Sequence, residues 1–557
     1  MKTSDTSEKG FQKLIVRELT ENQDYIETES NEFDREFCVN RAVLSEFIQN
    51  SQPESWNFIQ KKGERPFLSR LDNKIRKEGI IKVLRKGVKH LDKTISLFYP
   101  EPNSLHNIKD RKRYEANIFS VTQELVYTDS NKNRLDLVIF LNGLPIITLE
   151  LKNAYTHQAV RNAIRQYKYD RSPKDKIFHF ARCLVHFAAD TDLVFMTTQL
   201  NGKNTFFMPF NKGLNNGASS APFGAGNPLN PDGLKTAYLW EDIFSKESLA
   251  NIIEKYAQVL TEKDPDTDRS KRKLIFPRYH QLTVVRKMLA HAKAKGVGQR
   301  YLIQHSAGSG KSNSITWLAH QLVGLYDQSN VSPLFDSIIV VTDRTILDAQ
   351  IRENIKAFAQ VRKMVEAITG NASDIKSLDP AETSFSKTTH IRLALENNKK
   401  VIICTVQTFP FVLDTIQEMN IAFIIDEAHS SQSGQGAASM NALFADRNIP
   451  ELPKDEEGNI STEDLVNHLI ENRRMLKNAS YFAFTATPKN KTLETFGRKQ
   501  ADGTFKAFHT YSMKQAIQEE FILDVLKNYT TYKSYYKIRK QDKLIEIGKI
   551  RDNGIYD

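Results

Sequence analysis

"RLDLVIFLNGLPIITLELK", residues Arg134 to Lys152, holds two apolar runs around Asn142-Gly143, with Asp136 near the start of the first and Glu150 and Lys152 at the end of the second. Successive strand residues point to opposite faces, so Glu150 and Lys152 share a face. Two such runs around Asn-Gly read as a β-hairpin, and its register decides what the charges do. A two-residue loop pairs Leu141 with Leu144 and sets Asp136 against Leu149, leaving the two acids on opposite faces. A three-residue loop, Asn142 to Leu144, pairs Leu141 with Pro145 and sets Asp136 opposite Glu150, with Cβ atoms about 5 Å apart. Gly143 suits the left-handed position such a loop requires. We expect the three-residue loop or an equivalent bulge, because carboxylates that close repel unless a divalent cation lies between them.

An acid two residues before a lysine is common. The chain has others at Asp72-Asn73-Lys74, Asp110-Arg111-Lys112 and Asp374-Ile375-Lys376. None of those ends a strongly apolar strand with an acid in the strand before it. Upstream, "RYEANIFSVTQEL" is expected to bring Glu115 to the same metal. Downstream, "RNAIRQYKYD" sets Gln166 and Tyr169 about one helical turn apart, where they would brace DNA or the metal site; an ordinary amphipathic helix has the same pattern.

The chain has 557 residues, too many for one core, and is 40% hydrophobic and 26% charged, an ordinary globular composition. Three scattered cysteines, Cys38, Cys183 and Cys404, form no metal-spacing pair, so disulfides and structural zinc are not expected. No long uncharged apolar stretch or signal-peptide core is present, and the sequence reads as a cytoplasmic chain with no membrane segment. The net charge of +11 favours polyanionic partners without deciding for them. Basic clusters at Lys74 to Lys93, Lys109 to Arg113 and Arg269 to Lys273 fit phosphate contacts or solvated faces equally well. The Gly-, Asn- and Pro-rich segment Asn211 to Lys235 reads as a long surface loop, and the polar stretch Thr261 to Lys273 as a linker.

After that linker, short β-branched runs alternate with helical stretches, the pattern of βαβ units and a parallel sheet. "HSAGSGKSNSITWLAHQL" (His305 to Leu322) follows a strand and opens a helix, the context of a phosphate loop. Gly308, Ser309 and Gly310 would let backbone N–H groups close round phosphate, Lys311 would reach the β and γ phosphates of ATP, and Ser312 would ligate Mg²⁺. "IAFIIDEAHS" delivers Asp426 and Glu427 to the carboxyl end of a strand, Asp426 to hold Mg²⁺ and Glu427 to orient or deprotonate the attacking water.

With "FAFTATP" (Phe482 to Pro488), these motifs resemble the DEAH-type superfamily 2 helicases and translocases. The resemblance implies that Thr485 and Thr487 couple nucleotide state to nucleic-acid grip, and that Gln281 in "PRYHQ" reads adenine. The acids and lysine of the hairpin resemble the PD-(D/E)xK nuclease core, which implies Asp136 and Glu150 as Mg²⁺ ligands and Lys152 as the catalytic lysine. A nuclease core ahead of a DEAH motor resembles the R subunit of type I restriction-modification enzymes, with "ELKN", "QHSAGSGKSNSI", "VVTDR" and "DEAHSSQSG" the more family-like segments. That resemblance implies ATP-driven translocation of double-stranded DNA, Mg²⁺-dependent cleavage remote from the recognition site, and partnership with modification and specificity subunits. Rival readings are a partner-independent helicase-nuclease of repair or defence, a remodelling motor with a purely DNA-binding front domain, and a non-catalytic scaffold.

The expected architecture is α/β: a restriction-endonuclease-like α/β/α domain over residues 1–260, a RecA-like parallel-sheet domain over 261–490, and the start of a truncated second RecA-like lobe over 491–557. Only 69 residues follow Pro488, where a second lobe needs on the order of 150. The arginine finger would lie in that lobe, so the chain is expected to be an N-terminal fragment that binds ATP weakly and hydrolyses it poorly.

Overall fold

Apolar runs sort the chain into two seven-stranded sheets. The computed structural model describes residues 7–102, 107–153, 158–263, 270–342, 355, 364–405, 408, 419–426 and 476–523. The first sheet runs in the order β1 (Ile26–Thr28), β2 (Phe119–Val126), β3 (Arg134–Leu141), β4 (Leu144–Leu151), β5 (Val185–Ala189), β6 (Val194–Thr197) and β7 (Met208–Pro209). It is mixed, with β1–β2 and β4–β5 parallel and the other neighbours antiparallel.

Every residue of β4 is buried, because helices cover both faces of the sheet. Helix α1 (Glu8–Asn22) packs Phe11, Ile15 and Leu19 into the same core as Leu137, Ile139 and Leu149. A short basic helix, α2 (Ile108–Glu115), leads into β2. On the opposite face, α3 (Val160–Tyr169) sets Val160, Ala163 and Tyr167 against Val138 and Phe140. From Leu137 onward the residues of β3 alternate, Leu137, Ile139 and Leu141 meeting one core and Val138 and Phe140 the other, as the period of two demands. The result is an α/β/α sandwich.

The second sheet is parallel at every junction, in the order β10 (Val365–Ala367), β11 (Val401–Thr405), β9 (Ser337–Thr342), β12 (Ile421–Ile425), β13 (Ala479–Thr485), β8 (Arg300–His305) and β14 (His509–Tyr511). Its central strands are almost wholly apolar and buried, as a parallel sheet covered on both sides requires. Helices α4 (Tyr279–Lys295) and α5 (Lys311–Val323) flank β8. This is a RecA-like sheet, and β14 is its edge strand beside β8. The expected boundary at 490 is therefore corrected: the chain returns to the first RecA-like sheet at least as far as Tyr511.

Two further expectations are corrected. The stretch read as a polar linker supplies the arms of an antiparallel ribbon, Gln258–Lys263 against Ser270–Ile275. The segment from Asn211, read as a surface loop, is a strap between the two sheets. Its ends are held by the first sheet: Val194 N–H donates to Asn211 Oδ1 at 2.9 Å, and Asn227 both accepts from Lys212 N–H at 2.8 Å and donates to the Asp192 carbonyl at 2.9 Å. Its middle lies on β14 and the following helix α6 (Met513–Gln518). There Thr510 N–H donates to the Gly217 carbonyl at 2.8 Å, Ser219 Oγ to the Ala507 carbonyl at 2.9 Å, and Ala225 N–H to Gln518 Oε1 at 2.7 Å.

Candidate functional site

The hairpin places the first candidate site. Asn142 and Gly143 both have positive φ, 51° and 78°, so the turn is the two-residue form with Leu141 opposite Leu144. Taken alone, that turn would separate the acids. Between Ile139 and Phe140 the register shifts, with Phe140 opposite Pro145 but Ile139 opposite Ile147, so Ile146 is an extra residue in β4. This bulge restores the offset: Leu137 stands opposite Leu149, and one step on Asp136 stands opposite Glu150. The expected three-residue loop is thus replaced by its alternative, a bulge.

Asp136 Oδ2 accepts the Leu151 N–H at 2.6 Å, and burial raises the Asp136 carboxyl to about 6, against the lowering effects of that hydrogen bond and of Lys152. Glu150 is fully buried, and burial followed by the charge of Asp136 pushes it up to about 8, with Arg171 and Lys152 opposing. Glu150 Oε1 accepts from Arg171 Nε at 2.6 Å, while Oε2 is buried without a hydrogen-bond partner among the described residues. Lys152, 8% exposed, forms an ion pair with Glu8 of α1 at 2.8 Å.

Among the described residues no group of three or more His, Cys, Asp or Glu side chains is arranged to hold a metal ion. The pair nonetheless fits Mg²⁺, which takes one or two carboxylates and completes its shell with water and substrate phosphate. Glu150 Oε2 is a hard oxygen donor lacking the partner that burial demands.

Glu115 does not reach this site. It is exposed at the end of α2, paired with Arg111 at 3.1 Å. Helix α2 enters the sheet at the turn end, where Phe119 pairs with Leu141, and Asp136 lies five residues along β3, roughly 17 Å away at strand spacing. The other acids whose charges bear on Asp136 are Glu124 and then Glu8, and Glu8 is the one paired with Lys152. Tyr169, 68% exposed, likewise stands outside the buried metal site, on a surface open to solvent. Helical phase turns Tyr167 inward instead, where its hydroxyl bonds Thr148 Oγ1 at 2.8 Å and Thr148 in turn bonds His186 Nδ1 at 2.8 Å. Gln166, beside it, is half-buried and has its backbone carbonyl capped by Asp170. Arg171 and Glu8 went unread because nothing in their local sequence marks them, whereas Tyr167 is marked only by its helical spacing from Val160 and Ala163.

In the parallel sheet, β8 ends at His305 and α5 begins at Lys311. Gly308 and Gly310 have φ of 71° and 75°, which wraps the intervening backbone into a phosphate loop. Lys311 Nζ reaches the His305 carbonyl at 3.4 Å, and Ser312 is half-buried in the first turn of α5. The loop is held from behind: Arg278 Nη2 donates to the Gly308 carbonyl at 2.8 Å, and Gln281 Nε2 to the carbonyls of Ser309 and Gly310 at 3.1 and 3.0 Å. Gln281 Oε1 accepts Arg278 N–H at 2.9 Å, so the amide expected to read adenine is engaged by protein at both ends. His305 is buried against His509, with Nε2 and Nδ1 2.8 Å apart; burial forces both rings to stay neutral, holding His509 down at about 3.

Asp426 is buried just past β12, its N–H donating to the Val341 carbonyl at 3.0 Å. Glu427 lies outside the described residues. Thr485 is buried at the end of β13, and Thr487, exposed beyond it, lines a cleft of about 230 Å³ with Gln304 and Tyr511 of the parallel sheet, Ser512 just after it, and Ser219 and Phe223 of the strap.

Comparison with known proteins agrees with this two-part layout. Residues 5–205 match the family of type I restriction enzyme R protein N termini, and residues 280–550 match the SWI2/SNF2 ATPase family. A chain from Methanocaldococcus jannaschii described as a type I restriction endonuclease subunit is 23% identical over 82% of this chain. The type I restriction enzyme SauMSSORF170P endonuclease subunit of Staphylococcus aureus is 23% identical over 78%. This chain is an HsdR-like R subunit. It spans 40% and 39% of the length of those two relatives. Among solved structures, the UvsW helicase of bacteriophage T4 aligns at 15% identity over 42% of this HsdR-like chain and 60% of its own, with a TM-score of 0.22. Among the described residues no helix is long and apolar enough to cross a membrane.

Proposed function

We propose that this HsdR-like chain carries the nuclease and the first motor lobe of a type I restriction enzyme, which moves double-stranded DNA at the expense of ATP and cuts it in a Mg²⁺-dependent step. The observation that carries the reading is the bulge that brings Asp136 opposite Glu150 in a chain that also holds a built phosphate loop. A salt-bridge role alone would not need Glu150 Oε2 buried without a partner.

In the nuclease half, Asp136 and Glu150 would hold Mg²⁺, and when bound the ion polarises the scissile phosphate and lowers the pKa of water. Lys152 stands beside that pair and would stabilise charge developing on the phosphate, with Glu8 keeping the ammonium in place until DNA arrives. Tyr167 and Thr148 stiffen β4 two residues before Glu150. In the motor half, the N–H groups of Gly308 to Ser312 and the positive end of α5 would receive the phosphates of ATP. Lys311 would pair with the outer phosphates, and Ser312 and Asp426 would position Mg²⁺, with Glu427 orienting the attacking water.

Basic clusters distant in sequence meet on the surface: Arg272 Nη1 donates to the Lys77 carbonyl at 2.9 Å, with Lys77, Lys271 and Lys273 exposed around it. That grouping supports a DNA-backbone contact. Double-stranded DNA and the modification and specificity subunits are the proposed partners, with Thr485 and Thr487 coupling ATP to grip.

The test uses the complete R subunit assembled with its modification and specificity partners on circular DNA bearing a recognition site. Asp136→Ala and Lys152→Ala are expected to abolish cutting while leaving DNA-stimulated ATP hydrolysis intact. Lys311→Ala is expected to abolish both. Cutting by the Asp136→Ala enzyme would end the nuclease assignment.

A further inference from the structure

Arg171 follows α3 and is not among the residues that the nuclease pattern marks. Its side chain is 5% exposed, and it meets Glu150, whose side chain is 0% exposed, at 2.6 Å. A second guanidinium nitrogen, Nη2, donates to the Arg134 carbonyl at 2.6 Å, and the cation lies 6.0 Å from the centre of the Tyr127 ring. Arg134 opens β3 and stands two residues before Asp136, on the same face. One planar fork therefore grips both strands of the candidate metal site. It occupies Glu150 Oε1, while Oε2 stays buried without a hydrogen-bond partner among the described residues, and it ties the main chain of β3 to the carboxylate of β4.

We propose that Arg171 is a positioning residue that sets the separation and orientation of the two metal-binding carboxylates. The inference rests on the nuclease reading of Asp136 and Glu150. A buried cation beside a metal site has two opposite consequences. As a charge, Arg171 repels a divalent ion, so its removal would tighten metal binding. As a clamp, it holds Glu150 monodentate and β3 in register, so its removal weakens binding. The geometry points to the clamp, because the rigid guanidinium plane makes two hydrogen bonds to two strands at once, and a lysine ammonium on a flexible stem cannot reproduce that fork. Residues that orient metal ligands from behind typically change metal affinity by about 10–100-fold when replaced.

The test measures Mn²⁺ binding to the chain by the electron paramagnetic resonance signal of the free ion, for the wild type, Glu150→Gln, Arg171→Gln and Arg171→Lys. Metal-free melting curves set the folded fraction for each. The wild type is expected to bind a Mn²⁺ that Glu150→Gln loses, and both Arg171 variants are expected to bind it about 10–100-fold more weakly per folded molecule. Arg171→Lys keeps a buried cation against Glu150, so it covers the case in which Arg171→Gln fails to fold. Unchanged or tighter binding in Arg171→Gln, or full affinity in Arg171→Lys, overturns the clamp and leaves the nuclease reading standing. Absence of any Glu150-dependent Mn²⁺ in the wild type takes down the nuclease reading itself, and the clamp with it.

Discussion

Glu150 is fully buried with one oxygen bound to Arg171 and the other bare, and both it and Asp136 hold their protons above the ordinary carboxylate range, at about 8 and about 6. Burial is the leading cause for each. The folded chain therefore binds more protons than the unfolded chain from roughly pH 4 to pH 8, and the stability these two groups contribute falls as pH rises through that window. In metal-free melts, Glu150→Gln is expected to gain stability relative to the wild type at pH 8 and to show little difference at pH 5. The opposite trend would mean that Glu150 is ionised throughout. Divalent metal must displace those protons, so Mn²⁺ affinity is expected to rise with pH between 6 and 8 with proton release measurable in weakly buffered solution. Gln281 makes a second residue-scale case. Its amide supports the carbonyls of Ser309 and Gly310, and losing two such bonds of about 1 kcal/mol each is expected to weaken binding of ATP and GTP analogues alike, by up to about 30-fold. A selective loss for ATP alone, read by fluorescence titration, would restore the adenine-reading role.

At the scale of elements, the hairpin shows what was legible and what was not. The apolar runs Leu137 to Leu141 and Leu144 to Leu151, the Asn-Gly turn and the need for an offset between Asp136 and Glu150 all follow from strand periodicity. Where the offset sits does not. A three-residue loop and a two-residue loop with a bulge satisfy the same parity, and the choice is made by contacts remote in sequence. Asn142 Oδ1 accepts Ile118 N–H at 2.7 Å, its Nδ2 donates to the Leu97 carbonyl at 2.9 Å, and the Gly143 carbonyl accepts Asn40 N–H at 2.8 Å. A turn held from three directions keeps the tight form, and Ile146 absorbs the extra residue. A Cβ on Gly143 would come within 2.4 Å of the Asn40 carbonyl oxygen at a φ of +78°. Gly143→Ala is therefore expected to cost roughly 1–3 kcal/mol in urea unfolding. A cost under about 0.5 kcal/mol, the usual range for surface substitutions, would show that the turn relaxes freely. Helix α3 teaches the complementary lesson: the apolar spacing of Val160, Ala163 and Tyr167 gives its inward face, whereas the spacing of Gln166 to Tyr169 leads to an exposed tyrosine outside the metal site.

Across the whole molecule, the parallel sheet was readable from its apolar strands and phosphate loop, and the strap was not. Gly, Asn and Pro mark chain reversals but carry no address for a partner nearly 300 residues away. The fit there is close: a Cβ on Gly217 would lie 2.1 Å from His509 Nε2, and one on Gly213 would lie 2.5 Å from Gln515 Oε1. Gly217→Val is expected to lift the strap from β14, so that calorimetry shows the two sheets melting in separate transitions where the wild type melts them together. One shared transition in the variant would mean that the remaining interface suffices to join them.

The strap also imposes an order of events on synthesis. The first sheet, its strands complete at Pro209 among the described residues, leaves the ribosome with the strap attached, while the strand that receives it comes about 290 residues later. At roughly 5–20 residues per second, Gly217 and Ser219 wait on the order of 15–60 seconds before His509 and Thr510 emerge. During that interval the first sheet presents an unoccupied arm, until β14, the last strand of the RecA-like sheet among the described residues, comes in beside β8 and beneath that arm. The first domain to fold thus acts as a template against which the second is finished.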